Sequence, residues 1–444
     1  MRMMSTTPHQ PASRAWQHAK LAIAWAVFVT YGSLVPLEFK PNPHAWQQFL
    51  HTPWLQLGVG SRADWVANIL LYVVLAYFCA GAVWTMRATR SLRVVLLAIV
   101  LAACVALAVG IEFAQLYFPP RTVSLNDLLA EGLGTAIGAA LWFVSGKRVA
   151  AMWERFVIGG TNSIRALLAL YALGYLGLSF FPYDFLVSAA ELSAKLAKPD
   201  SFSIGPGLSC GSSFTCGVKL LVEALLAVPF GLLLVLARGG RGSRPLKPAW
   251  GFAAGAALGV VVEGVQIVLA SGTTQVISVL TRAVGTGWGA MLAGSHPRRW
   301  LDYSPATARR LILVLLPVHL GLALGLNGLL PLRLQPEWAA LEKLDGLRFL
   351  PFYYHYYTSE TAAVRSLLFV AGSYAPIGVA AAIGWPTAPR RAAIGAVLAA
   401  LVLCFGVEVL KLFSLGTRPD PTNLLIAAAS AWLAHWIVQR LLAH

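Results

Sequence analysis

Seven polar side chains in the first third of the chain stand near the ends of apolar segments, where acid–base or binding chemistry could take place. They are Asp64, Asn68, Glu112, Gln115, Arg121, Asp127 and Glu131. Asp64 and Asn68 are four residues apart, as are Asp127 and Glu131, so each pair would share one face of a helix. Ser124, three residues before Asp127, could cap the helix that begins there. Two carboxylic acids beside an arginine could hold different pKa values, as general acid–base catalysis requires.

The same residues also support a binding role and a purely structural role. Arg121 could bind a phosphate or carboxylate in bidentate fashion. Glu112, Arg121 and Asp127 could instead form an ion-paired lock between three helices, because an unpaired charge near hydrocarbon is costly. We therefore expect these side chains to pair with one another. No His or Cys nucleophile, metal-spaced cluster, phosphate loop or dinucleotide fingerprint accompanies them in the sequence, so we expect no metal and no cofactor, and an enzyme is less favoured.

The acidic motif occurs three times along the chain. Glu112 with Gln115, Glu263 with Gln266, and Glu408 with Lys411 each close an apolar run before a short polar loop. Subtracting positions gives offsets of 151 and 296 residues. The first offset also carries Gly134 and Gly138 onto Gly285 and Gly289, at the GxxxG spacing that allows close helix packing.

A second landmark divides the chain at the same places. Pro36-Leu37-Glu38-Phe39 recurs as Pro182-Tyr183-Asp184-Phe185 and, more loosely, as Pro331-Leu332-Arg333-Leu334. Repeats of this length are duplicated modules rather than solenoid units. The sequence predicts module one at residues 1–150, module two at 151–300 and module three at 301–444.

The composition is that of an integral membrane protein. Hydrophobic residues make up 58% of the chain and charged residues only 12%, with a mean hydropathy of +0.68. Soluble proteins are about half apolar and a quarter charged. The predicted fold is therefore all-α and polytopic, with about 12 transmembrane helices, because a helix satisfies its own backbone in lipid.

Twelve apolar stretches are long enough to span the membrane, four in each module. They lie at about 18–36, 65–85, 92–116, 125–145, 163–181, 217–237, 249–270, 278–294, 309–330, 364–384, 391–414 and 423–442. An even number of spans per module gives every module the same orientation. Transporters with inverted repeats are therefore a poor match.

The net charge of +16 indicates the membrane orientation. Lys and Arg cluster before or at the start of the first predicted span and after the second, fourth, sixth, eighth and tenth, which is one side of the membrane. The positive-inside rule makes that side cytoplasmic, with both termini there and the acidic motifs facing outward. We expect an inner-membrane location and no nucleic-acid partner.

Two of the five cysteines share a predicted outer loop. Cys210 and Cys216 could form a disulfide there if that compartment is oxidising. The other three lie inside apolar runs, where cysteine usually serves packing.

The pattern Glu-Phe-Ala-Gln-x-x-x-Pro-Pro-Arg-x-x-Ser-x-x-Asp from Glu112 to Asp127 resembles the VanZ-like family. The preceding span with Asp64 and Asn68, the following glycine-spaced helix and the Pro36 segment fit as well. That family is named for a small membrane protein associated with low-level resistance to the glycopeptide teicoplanin, and its biochemical activity is not established. The resemblance implies that Glu112, Gln115, Arg121 and Asp127 are signature positions.

Only module one has the full signature. Module two has Gly272 and Ser278 at the positions of Arg121 and Asp127, and module three replaces Gln115 by Lys411. Module three also has Arg418, Asp420 and Asn423 in its connecting turn. At an offset of 155 residues, which matches the second spans, Asp64 and Asn68 correspond to Lys219 and Glu223. This pair predicts an internal ion pair in module two. An active site, if there is one, is predicted in module one.

Four functions compete. The resemblance and the outward-facing cluster favour interaction with an envelope lipid, lipid-linked saccharide or glycopeptide, with teicoplanin tolerance as one outcome. The alternatives are a membrane enzyme that uses Glu112 or Asp127 as acid or base, a structural scaffold, and, least favoured, a transporter. Membrane lipids are the expected partners. The aromatic run 352–357 could offer stacking surfaces to a ligand or anchor the chain at the interface.

Overall fold

The computed structural model describes residues 11–54, 58–119, 121–159, 161–198, 201–203, 213–238, 247–295 and 304–442. These residues form an all-α structure with twelve long helices. They are α1 (Pro11–Leu34), α3 (Val59–Trp84), α4 (Arg90–Gln115), α5 (Leu125–Ile158), α6 (Thr161–Phe180), α8 (Ser213–Arg238), α9 (Pro248–Val268), α10 (Val276–Ser295), α11 (Pro305–Leu326), α14 (Glu360–Gly384), α15 (Pro389–Phe413) and α16 (Thr422–Leu442). The short elements are α2 (Ala45–Leu50), α7 (Ala189–Leu196), α12 (Glu337–Asp345), α13 (Tyr353–Tyr356), β1 (Phe202–Ser203) and β2 (Thr274–Gln275).

Eleven of the long helices in the described residues are long and apolar enough to cross a membrane. The prediction of an all-α, multi-pass membrane protein is confirmed, with eleven candidate spans where the sequence predicted about twelve. The exception is α1, whose first half carries Arg14, His18 and Lys20 and is therefore less apolar. Helix α5 continues to Ile158, beyond the predicted end of its span, because hydropathy marks the end of lipid contact and not the end of the helix.

The chain divides into two compact units. The first comprises Met1–Met152 and Tyr183–Leu186, and the second comprises Trp153–Pro182 and Val187–His444. The first unit covers most of predicted module one, whereas predicted modules two and three lie mainly in the second. The three predicted modules remain a prediction.

In the first unit, α1 and α4 pack against α3 around a buried apolar core. Val29, Tyr72, Cys104 and Ile111 belong to this core. In the second unit, α10 packs against α8 and α9, and α16 packs against α14 and α15. Each predicted module thus contributes helices that pack on one another.

The GxxxG glycines allow helices to approach closely, as the sequence predicted. A Cβ atom on Gly134 or Gly138 would collide with carbonyl oxygens of α3, at Ile69 and Val73. In the second unit, Gly285 and Gly289 lie in the same way against carbonyl groups of α8. A packing role for these glycines is confirmed.

The proline landmarks lie just after the first long helix of each predicted module. Pro36, Pro182 and Pro331 follow α1, α6 and α11, and each is preceded by a cis peptide bond. Each landmark thus marks the point at which the chain leaves that helix.

Two short helices, α7 and α12, each provide a lysine that caps the C-terminal end of a long helix. The Lys195 ammonium of α7 donates to the carbonyl oxygens of Gln266, Ile267 and Leu269 at the end of α9. The Lys343 ammonium of α12 donates to those of Lys411 and Ser414 at the end of α15. A cation at a helix C-terminus satisfies carbonyl groups that lack intrahelical partners.

Candidate functional site

Glu112 lies in the last turn of α4 and is only 3% exposed. The backbone N–H of Ser124 donates to its carboxylate. The Oε2 atom of Glu112 is buried and has no hydrogen-bond partner. One acceptor of this glutamate is therefore unsatisfied within the protein.

Gln115 and Arg121 both bind the C-terminal end of α1. Gln115 Nε2 donates to the Ser33 carbonyl oxygen at 3.1 Å. The Arg121 guanidinium donates to the carbonyl oxygens of Val35 and Gly32 at 2.8 and 2.6 Å. Arg121 was expected to pair with the acids or to bind an anion, whereas these bonds direct it to backbone carbonyl groups, which attract cations at helix ends.

Asp127 lies in the first turn of α5, where Ser124 caps the helix as predicted. The Asp127 N–H donates to Ser124 Oγ at 3.2 Å, and Ser124 Oγ–H donates to Asp127 Oδ2 at 2.6 Å. Asn68 Nδ2 of α3 donates to Asp127 Oδ1 at 2.9 Å. These bonds place the Asn68 and Asp127 side chains together, as their positions in the sequence suggested, while Asp64, one turn earlier on α3, is exposed.

Glu131 lies one turn after Asp127 and is buried with the other acids. It is 3% exposed, and its Oε2 atom has no hydrogen-bond partner. The charges of Glu112 and Asp127 both act on Glu131. The structure thus brings three carboxyl groups together from α4 and α5.

The buried phenol of Tyr72 on α3 also belongs to this cluster. Tyr72 is 1% exposed and interacts electrostatically with Glu112 and Glu131. Its hydroxyl group and Gln115 Oε1 are buried without hydrogen-bond partners. Tyr72 falls four residues after Asn68 and eight after Asp64, so the spacing in the sequence puts all three on one face of α3.

Module two satisfies its glutamate with a buried arginine. Glu263 Oε2 accepts the Gln275 backbone N–H at 2.6 Å, and Glu263 Oε1 pairs with Arg282 at 2.7 Å. Gln266 Nε2 donates to the Ser179 carbonyl oxygen at 2.7 Å, as Gln115 does to that of Ser33. Shifted by 151 residues, Arg282 corresponds to Glu131 of module one.

The predicted ion pair between Lys219 and Glu223 is wrong. Lys219 Nζ donates to Gln275 Oε1 at 3.0 Å, and Glu223 Oε2 accepts from Thr281 at 3.2 Å. Both side chains face α10 and the loop before it, where polar groups are available at hydrogen-bond distance. Helical spacing allowed the pair, but these tertiary partners replaced it.

Module three satisfies its glutamate with a lysine and an asparagine. Glu408 Oε2 accepts the Asp420 backbone N–H at 2.7 Å. Glu408 Oε1 accepts from Lys411 Nζ and from Asn423 Nδ2, each at 2.7 Å. Lys411 Nζ also donates to Asn327 Oδ1, at the end of α11, at 3.2 Å.

Glu112, Glu263 and Glu408 each accept one equivalent backbone hydrogen bond. They differ in whether a Lys or Arg side chain is bonded to the carboxylate. Each accepts a backbone N–H from the residue twelve positions later. A buried Arg or Lys completes the site in modules two and three. In the described part of module one, neither Glu112 nor Glu131 is bonded to a Lys or Arg, and Asp127 adds a third carboxyl group to the two glutamates.

No group of three His, Cys, Asp or Glu side chains in the described residues has a geometry suited to a metal ion. The possible disulfide is not tested, because Cys210 lies outside the described residues.

The long apolar helices define a multi-pass, all-α membrane protein. Its residues 3–146 match the VanZ/LLP1 family model, so module one is a VanZ-like domain. Residues after 146 lie outside this match. No curated protein and no solved structure shows significant similarity to the chain.

Proposed function

We propose that module one holds the polar part of an envelope molecule at the predicted outer face of the membrane. The candidates are an envelope lipid, a lipid-linked saccharide and a glycopeptide, with teicoplanin tolerance as one consequence. The observation that supports this proposal is the set of buried acceptors on Glu112, Glu131 and Gln115 that lack partners. A buried acceptor without a partner costs free energy unless a ligand or water satisfies it.

The proposed ligand group donates hydrogen bonds and has a positive charge or several N–H or O–H groups. Three clustered carboxyl groups attract such a group and repel a phosphate. In modules two and three, Arg282 and Lys411 provide this positive charge from within the chain. We infer that the chain itself completes the glutamate sites of these two modules and that the glutamate site of module one is open to a ligand.

The test compares Glu112→Gln with Glu263→Gln, and both with the unmodified chain, in a teicoplanin-sensitive host that expresses each of them. Glu112→Gln replaces a buried carboxyl group that has no cation partner, so we expect unchanged or higher thermal stability together with lost tolerance. Glu263→Gln leaves Arg282 buried without its carboxylate, so we expect lower membrane yield and a lower unfolding midpoint.

Two results would contradict the proposal. If Glu112→Gln lowers yield and stability as much as Glu263→Gln does, the module-one cluster is a structural lock. If tolerance survives Glu112→Gln in a well-folded protein, the cluster does not serve this function. If the unmodified chain confers no tolerance, glycopeptides are excluded from the candidates.

A membrane-embedded enzyme is the second candidate. The different hydrogen bonding of Asp127 and Glu112 favours it. Asp127 accepts hydrogen bonds on both oxygens, whereas Glu112 has one oxygen free to take up or release a proton. Two acids in such different environments could act as acid and base on a lipid-linked substrate. For an enzyme, Glu112→Gln would leave ligand binding intact and stop turnover, whereas a binding protein would lose affinity.

A further inference from the structure

Module three contains a cavity that none of the module-one site residues line. Its volume is about 170 Å³, and it lies between the loop that carries α13 and the turn that joins α15 to α16. Its walls include six polar or aromatic side chains: Tyr354, His355, Lys411, Arg418, Asp420 and Asn423. A cavity of about 150 Å³ can hold a benzene molecule, so this one has room for a single headgroup.

Two cationic side chains, Arg418 and Lys411, line the cavity and have N–H groups that donate to no acceptor in the described residues. Arg418 is exposed, and its guanidinium stacks on the Tyr354 ring at 4.3 Å. Lys411 Nζ has three N–H donors and uses two, on Glu408 Oε1 and Asn327 Oδ1. In the described residues the Arg418 guanidinium donates no hydrogen bond, unlike that of Arg121.

Acceptors lie beside these donors. Asn423 is 3% exposed and donates to Glu408, while its Oδ1 atom is buried without a partner. Both His355 ring nitrogens also lack hydrogen-bond partners, although Nδ1 lies 3.4 Å from Asp420 Oδ2. The cavity therefore presents free donors with positive charge and free acceptors within the space of one small group.

The position of the cavity indicates a membrane ligand. It lies where α14 begins and where α15 gives way to α16, at the ends of three candidate spans. Phe413 and Leu415, in the segment between the cavity residues Lys411 and Arg418, have exposed apolar side chains. The neighbouring Tyr353, Tyr356 and Tyr357 pack edge to face or tilted, and tyrosines are enriched at membrane interfaces.

We propose that this cavity binds the phosphate headgroup of a membrane lipid whose headgroup also carries hydroxyl or amine donors. The Arg418 guanidinium and the remaining Lys411 N–H would bind the phosphate oxygens, because a planar guanidinium suits bidentate phosphate binding. The headgroup hydroxyl or amine would donate to Asn423 Oδ1. The acyl chains stay outside the cavity, along the apolar ends of the helices.

The test measures lipid binding by the purified full-length protein in detergent, by native mass spectrometry and thermal shift. The probes are phosphatidylglycerol and phosphatidylethanolamine, which carry donors, and phosphatidylcholine, whose quaternary ammonium carries none. We expect phosphatidylcholine to bind at least tenfold more weakly than the other two. Soluble glycerol 3-phosphate distinguishes a free phosphate ester from a lipid, and equal affinity for it would assign the cavity to the free ester.

Substitutions of Arg418 test whether the lipid binds in this cavity. Arg418→Gln should weaken binding of phosphatidylglycerol about tenfold, and Arg418→Lys should weaken it less, because lysine keeps the charge but loses the planar fork. Arg333→Gln is the matched control, since Arg333 is an exposed arginine of the same predicted module that does not line the cavity. Equal binding by Arg418→Gln and Arg333→Gln, or equal binding of all three lipids, would overturn the proposal.

Discussion

Glu112, Glu263 and Glu408 show how one side chain takes different roles in similar backbones. Each accepts the N–H twelve residues further along the chain, and the difference lies in the second oxygen. The exchange of Glu131 for Arg282 is visible in the 151-residue offset that the sequence provides. The turn of Arg121 toward the carbonyl groups of α1 could not be predicted, because the sequence does not show which carbonyl groups lie within reach.

Removal of the arginine from the module-two pair should be strongly destabilising. Arg282→Gln leaves the buried Glu263 carboxylate with only the Gln275 N–H, and loss of one partner of a buried ion pair costs about 3–5 kcal/mol. The unfolding midpoint in detergent measures the effect. Arg310→Gln, at an exposed position of the same unit, is the control and should leave the midpoint unchanged. Similar midpoints for the two variants would show that the pair is not important for stability.

His355 should make the stability of the protein depend on pH. Burial lowers the pKa of His355 below its ordinary 6.5, and the nearby Asp420 carboxylate opposes this in part. As pH falls through 6.5, the unfolded chain binds a proton that the folded chain resists, so the free energy of unfolding decreases. Lys411 and Arg418, which line the same cavity, disfavour the protonated ring further.

The measurement is the change in unfolding midpoint between pH 7.5 and pH 5.5. His355→Gln should show a smaller decrease than the unmodified protein, because glutamine does not titrate. His44→Gln, at an exposed position, is the control. An equal decrease in the His355 variant would assign the pH dependence to other groups.

At the scale of elements, apolar length predicted the long helices well because a helix in lipid must satisfy its own backbone. Predicted span 92–116 became Arg90–Gln115, and predicted span 391–414 became Pro389–Phe413. The short helices α2, α7 and α12 were not predicted, since their sequences are neither long nor apolar. The lysine caps that α7 and α12 provide depend on tertiary contacts, which no local pattern encodes.

α3 and α5 approach each other closely at Gly138, and we expect a larger side chain there to destabilise the protein. Gly138→Leu forces the helices apart because its Cβ would collide with the Val73 carbonyl group, and overpacking costs about 1–3 kcal/mol or more. The unfolding midpoint and membrane yield should both fall. Gly110→Leu, on α4 with open space around its Cβ position, should be close to neutral. A stable Gly138→Leu variant would contradict the close packing.

At the scale of the whole molecule, the chain combines one VanZ-like domain with further helices outside the family match. Hydropathy and a short motif were enough to predict the class of protein and the family of its first part. The ligand could not be predicted, because the sequence does not reveal which buried atoms lack partners. Arg282 and Lys411 complete the glutamate sites of modules two and three, and only the glutamate site of module one, in the described residues, has no Lys or Arg bonded to its glutamate.

We propose that the module-one cluster has no cation of its own because a ligand binds there. The most direct test installs the module-two cation by Glu131→Arg, with Glu131→Gln as a smaller change, and measures the unfolding midpoint and teicoplanin tolerance together. We expect a midpoint several degrees higher, since the buried repulsion is removed, together with loss of tolerance in both variants. Full tolerance in a stabilised Glu131→Arg protein would contradict it.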